Sequence, residues 1–166
     1  TEVKHIRNGV DLELFKTFSD MDELKKKYDF FNKKTYLFLG RLGEEKSISV
    51  LLDAFKRAYS LDNELRLLII GAGPGEADYK KYVNDNSLDD VVKFMGRMPH
   101  KELLQSGIIH NSRALVTASV TENQPITIIE AIACNTPIII PDVKGIRELL
   151  DGNGFSFPAG DIECLS

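Results

Sequence analysis

The sequence predicts an α/β fold, a doubly wound parallel sheet of about six strands. Two observations carry this. Short apolar runs alternate with helical patterns along the chain. Most of those runs are near-continuous rather than alternately apolar and polar, as strands are when helices cover both faces of their sheet.

The strand candidates are Thr35–Leu39, Leu65–Ile70, Val91–Met95, Ala114–Ala118, Thr136–Ile140 and Phe155–Phe157. Between the first two lies "SISVLLDAFKRAYSL", where Ile48, Leu51, Leu52, Phe55 and Ala58 recur at helical spacing. Further helices fit Glu76–Asn84, Lys101–Ser106, Pro125–Cys134 and Gly145–Leu150. Residues 1–33 do not join the alternation and are expected to be a linker or N-terminal extension, with residues 34–166 as the domain. Within that extension "RNGVDLELF" reads as a turn and "ELKKKYDFF" as a charged surface helix. The tail "GDIECLS" starts a helix with Asp161 as cap. Thr1 stands where a start methionine would, so both ends are expected to be cuts inside a larger two-domain protein.

Composition narrows the function. With 166 residues, 43% hydrophobic and 28% charged, the chain suits one domain with its own core. The net charge of -4, with no dense run of Lys or Arg, disfavours nucleic acid or an anionic membrane as partner of the whole surface. A local basic site stays open. Cys134 and Cys164 form no framework, which fits a reducing compartment. The sequence carries the expectation of no signal peptide, and no run in it reaches the roughly 18 apolar residues that span a bilayer.

In open α/β sheets ligands lie beyond the carboxyl ends of the strands. After the first strand comes "GRLGEEKS", one letter from a phosphate-binding loop. Glu45 replaces the second glycine and would bring bulk and negative charge to the phosphate, so nucleotide hydrolysis by that mechanism is set aside. A strand end, a glycine turn at Gly40, Arg41, Lys46 and a helix N-terminus remain. They could hold an anion, or the cations could be loop charges paired with Glu44 and Glu45.

After the second strand, "GAGPGE" has Glu76 where the dinucleotide fingerprint needs glycine, which disfavours NAD. Gly71 and Gly73 permit either a close backbone approach or a plain turn. After the third, "GRMPHKEL" offers Pro99 as a helix start and His100, read as solvated in preference to catalytic. His5 and His110 have no neighbours that suggest a metal or a triad.

"SVTENQPITIIEAIACNTPIII" follows the fourth strand. Its helix is apolar nearly all round, which predicts burial, yet Glu130 sits in the middle. A buried carboxylate needs a partner. An arginine salt bridge and a ligand both satisfy that need. Glu122 precedes the helix, so two carboxylates straddle its N-terminus, where the amides of Asn123–Ile126 suit ligand oxygens. Asp20–Asp22 mimics a metal-binding D-x-D but reads as helix capping. No Cys/His cluster suggests zinc, and no nucleophile elbow appears.

The E-x7-E from Glu122 to Glu130, followed by "EAIACNTPIIIPDVKGIRELL", resembles the retaining glycosyltransferases of family 4, which have the GT-B fold. "RNGVDLELF", "FLGRLGEEKSISVLLDAF", "LLIIGAGP" and "VVKFMGRMPHKELL" match in the same order, so the resemblance covers Ile6 to Asp161. It implies a Rossmann-like C-terminal half that binds a nucleotide-sugar, UDP-glucose or another UDP-hexose. Arg41 and Lys46 would hold the diphosphate, with Gly40, Gly71 and Gly73 close by. Glu122 would contact the sugar and Glu130 the ribose. Asn123, Gln124, Pro125 and Ile126 would meet sugar and phosphate, and Arg97 and Met98 the base. Arg41, Lys46 and Glu122 would be the catalytic set. Ser47, Asn123–Pro125 and Asn135 depart from glycines frequent in the family; Asn135 can still take a left-handed helix end.

The resemblance also implies no metal and no cofactor, and a glycan or lipid acceptor brought by an N-terminal domain. This piece alone would bind donor without turnover. "TASVTENQ" resembles diacylglycerol glucosyltransferases, which implies a cytoplasmic protein able to work at the inner face of the membrane. A GT-B epimerase, a non-catalytic nucleotide-sugar module and an NAD-dependent oxidoreductase are the alternatives.

Overall fold

The computed structural model describes residues 8–15, 19–121 and 125–166. A 3-10 turn at Leu12–Phe15 precedes helix α1 (Met21–Lys27). Asp20 caps α1, its carboxylate accepting from the Glu23 amide at 2.8 Å, so the D-x-D stretch serves the helix. Strand β1 (Lys34–Leu39), α2 (Ile48–Leu61), β2 (Leu65–Ile70), α3 (Glu76–Asp85) and β3 (Val92–Phe94) follow. Then come α4 (His100–Gln105), α5 (Ile108–Asn111), β4 (Ala114–Val116) and α6 (Ile126–Ala133). Strands β5 (Ile138–Pro141) and β6 (Gly154–Phe157) and helix α7 (Ile162–Leu165) complete the order.

The strands form one parallel sheet in the order β3-β2-β1-β4-β5-β6, the Rossmann-like arrangement. Tyr36 of β1 lies opposite Leu67 on one side and Ala114 on the other. The expected fold class holds. Its differences are at the margins. Helix α5 has no counterpart in the sequence reading, and the expected helix at Gly145–Leu150 is only a 3-10 turn at Arg147–Leu149. Both segments start at a glycine with positive φ, Gly107 at 78° and Gly145 at 92°, which isolates them from longer helical runs.

The sheet faces explain the continuous apolar runs. Leu37, Leu39, Leu68, Ile70, Leu115, Ile138 and Ile140 face one core, shared with α1, α4, α5 and α6. Their neighbours Phe38, Leu67, Ile69 and Val116 face a second core with α2 and α3. Consecutive positions along the central strands, Leu37 to Leu39 and Leu67 to Ile70 among them, are therefore buried, and alternation disappears. Phe15, Leu24, Phe30 and Phe31 are buried in the first core, so the segment before β1 packs on the sheet without adding a strand.

Helix α6 departs from its expectation. Ile128 and Ala131 are buried, but Ile126 is 51% exposed and Ile129 and Ile132 are half-buried. One side of the helix lies on the core. No layer among the described residues covers the other, so an apolar sequence all round does not make it a buried helix.

Candidate functional site

Strand order reverses between β1 and β4, and the crevice beyond their carboxyl ends is where such sheets bind ligands. The loops after β1 and β2 extend the ladder past the strands. The Gly40 amide donates to the Ile70 carbonyl at 3.1 Å, and the Gly71 amide to that of Gly96 at 2.8 Å. A Cβ on Gly71 would lie 1.8 Å from the Gly40 carbonyl oxygen, and one on Gly73 2.5 Å from that of Leu42. The close approach expected at these glycines is thus to the neighbouring loop. It leaves backbone as the floor of the crevice.

The "GRLGEEKS" loop makes a 3-10 turn at Glu44–Lys46, and Ser47 enters α2 left-handed at φ 48°. Lys46 lies over Gly40, its Cε 4.0 Å from where a Gly40 Cβ would sit, and Arg41 is exposed beside it. The loop is held from across the switch point. Ser119, fully buried beyond β4, has its hydroxyl 3.0 Å from the Glu45 carbonyl and 3.3 Å from that of Thr121. One short side chain thereby joins the loop carrying Lys46 to the loop leading toward α6.

A cleft of about 450 Å³ opens above this floor. Gly40 and Gly71 form its base, Arg97, Met98 and His100 one wall, and Ile126 and Glu130 the other. Glu130 is only 3% exposed. Its partner is neither an arginine nor, among the described residues, a second cation: His100 Nε2 donates to Glu130 Oε1 at 2.5 Å. His100 is 62% exposed, in keeping with its reading as a solvated residue, but it opens a helix and bonds Glu130, which that reading did not include. Pro99 caps α4 in extended geometry and sets His100 at the first helical position, on the cleft rim.

The structure gathers six of the expected residues, Gly40, Gly71, Arg97, Met98, Ile126 and Glu130, around one cleft. Gly73, Arg41 and Lys46 stand outside its lining. Pro125 caps α6, its carbonyl accepting from the Ile128 amide at 3.1 Å. Glu122, Asn123 and Gln124 lie outside the described residues. Sequence reasoning missed His100. The available signal was a lone histidine opening a helix beside a strand end, with an unpartnered carboxylate elsewhere in the chain.

Below the "GRLGEEKS" loop a separate cavity of about 520 Å³ is bordered by Glu44, Glu45, Asp78 and Tyr79. Burial pushes the Tyr79 phenol up, and the three carboxylates push the same way. Glu44, Glu45 and Asp78 thus line this second cavity, and Glu130 is the carboxylate that lines the cleft. Among the described residues, no three His, Cys, Asp or Glu side chains gather as a metal site requires, and no helix is long and apolar enough to cross a membrane.

The profile of the family Glycosyl transferases group 1 matches residues 20–166. The chain belongs to the group 1 glycosyltransferases. Among other members, this glycosyltransferase chain is 31% identical over 136 residues to the amylovoran biosynthesis glycosyltransferase AmsK of Erwinia amylovora, covering 78% of this chain and 33% of that protein. It is 28% identical over 160 residues to the alpha-monoglucosyldiacylglycerol synthase of Streptococcus pneumoniae, covering 93% of this chain and 36% of that protein. Anabaena Alr3699/HepE, solved in complex with UDP and glucose, has a TM-score of 0.81 and 25% identity, over 95% of this chain and 44% of that one. The chain spans about a third of the length of the curated relatives it matches. The fold is that of the C-terminal domain of a GT-B glycosyltransferase.

Proposed function

We propose that this glycosyltransferase chain is the nucleotide-sugar-binding part of a retaining, family 4 hexosyltransferase. The donor is a UDP-hexose such as UDP-glucose. The acceptor is a glycan or lipid, held by a preceding domain for which residues 1–33 are the approach. One observation carries the reading: a buried carboxylate, Glu130, lines an open cleft at the switch point of the sheet. A carboxylate at that depth suits a ligand rich in hydroxyls. HepE, at 25% identity, was solved with UDP and glucose, and that likeness supports the choice of nucleotide.

In this reading no protein nucleophile, metal or resident cofactor is used. Transfer proceeds on one face of the sugar, and the acceptor arrives on the side from which the diphosphate departs. The work is then stabilisation of charge growing on the leaving diphosphate. Arg41 and Lys46, on the loop beyond β1, supply it. Glu122 orients the sugar, with Asn123, Gln124, Pro125 and Ile126 beside it, Glu130 takes the ribose, and Arg97 and Met98 meet the base. The protein works in the cytoplasm, at the membrane where its acceptor is a lipid.

Thermal melts with UDP, GDP, ADP, UDP-glucose and NAD test the proposal. A ligand at about 100 times its dissociation constant stabilises by about 2.7 kcal/mol. At this size that is a rise of roughly 5 to 10 °C. The expected outcome is a shift with UDP and UDP-glucose, lost in the Arg41→Ala/Lys46→Ala pair, and none with NAD. Release of transferred or altered sugar by residues 1–166 alone would contradict the assigned division of labour.

A further inference from the structure

We propose that His100 is a positioning residue for the ribose of the nucleotide: it holds Glu130 so that one carboxylate oxygen is presented to the ribose hydroxyls. The inference rests on the reading of Glu130 as the ribose-binding group. Its own observations concern how that carboxylate is held. Glu130 is carried by α6 at 3% exposure, and its Oε1 accepts from His100 Nε2 at 2.5 Å. No other hydrogen bond to this carboxylate is found among the described residues. Among the described residues no buried side-chain oxygen lacks a partner, and Glu130 lines the cleft, so Oε2 is the carboxylate oxygen left for a ligand there.

The terminal torsion of a glutamate is broad, and a carboxylate with no anchor offers its oxygens in no fixed direction. A pair of vicinal hydroxyls needs acceptors in a fixed direction. The His100 bond supplies the anchor at one oxygen and leaves the other for the ligand. His100 itself is 62% exposed, so it fills no core space, and its removal opens no cavity. It belongs to a different element from Glu130, α4 against α6. The wall that would meet the base and the carboxylate that would meet the ribose are thereby joined through one hydrogen bond.

The test is equilibrium binding to the full-length protein of UDP, GDP and ADP, each beside its 2′,3′-dideoxy counterpart. The variants are His100→Ala, His100→Phe, His100→Gln, Glu130→Ala and the His100→Ala/Glu130→Ala pair. Whichever ribonucleotide binds the wild type, His100→Ala and His100→Phe are expected to weaken it about tenfold, the scale of one hydrogen bond to a charged group. The dideoxy form should be unaffected. His100→Gln, which keeps an N–H, should restore binding. The double variant should bind no worse than Glu130→Ala. An equal loss for ribose and dideoxy forms in both His100→Ala and His100→Phe, or no loss in either, overturns the role of His100 if Glu130→Ala still shows the ribose-selective loss. If Glu130→Ala shows none, or no nucleotide binds the wild type, the reading of Glu130 fails and this inference fails with it.

Discussion

At the scale of single residues, burial decides chemistry that sequence position leaves open. Cys134 lies in an apolar stretch and Cys164 in the polar tail, and the fold buries Cys134 and exposes Cys164. Burial, with a contribution from the charge of Glu130, pushes the Cys134 thiol up to about 11. Only thiolate reacts with thiol reagents. Of these two cysteines, Cys164 is expected to be modified in the native protein at neutral pH, and Cys134 only after unfolding. Peptide mapping after alkylation checks this, and native labelling of Cys134 would refute it. Glu130 shows the limit of reading residues from sequence. Its need for a partner follows from an apolar helix around a carboxylate. The identity of that partner does not, because His100 lies 30 positions away and meets it only through the fold. Asn135 was legible for the opposite reason. Its left-handed φ of 56° belongs to the helix end itself, where the Thr136 amide donates to the Ala131 carbonyl at 2.9 Å.

At the scale of elements, lengths were less legible than identities. Strand β5 begins at Ile138, two residues later than read, because Asn135 and Thr136 are spent closing α6. Such end effects are tertiary and local at once, and apolar count does not show them. Between α2 and α3, the Tyr82 phenol donates a short hydrogen bond to the Asp53 carboxylate. Burial pushes Tyr82 up to about 12 from an ordinary 10.0, and the Asp53 bond and charge add to it. A phenol held protonated in the fold stabilises fully below its unfolded value. That stabilisation is lost as pH rises through the folded value. The melting temperature is expected to fall between pH 10 and about 12, and Tyr82→Phe should flatten that fall. An unchanged slope in Tyr82→Phe would assign the loss to other groups, Cys134 and Tyr79 among them.

At the scale of the whole molecule, one sheet serves two cores, so neither face can melt while the other survives. Leu37, fully buried, looks into one core, and Leu67, 1% exposed, into the other. Replacing either by Ala should cost about 2–5 kcal/mol. The unfolding transition should stay single in both variants, with circular dichroism and tyrosine fluorescence coincident. Two separated transitions would show that the faces fold independently. The two-core arrangement was readable in advance, since runs without alternation require cover on both sides. The cleft was readable only as a list of loops. That Arg97, Met98 and Glu130 share one cavity while Gly73 stands apart depends on how far each loop travels after its strand ends.

The backbone floor of the cleft has a consequence for how ligand preference can change. Gly71 cannot acquire a side chain without striking the Gly40 carbonyl, and Gly40 sits against Phe38 and Lys46. Substitution at Gly71 is therefore closed off at the bottom of the cleft. Variation can enter through the walls, where Arg97, Met98, His100, Ile126 and Thr127 have exposed or half-buried side chains. The cleft behaves as a fixed socket with exchangeable jaws. A mutant library built to retarget it starts from those wall positions and leaves Gly71 alone.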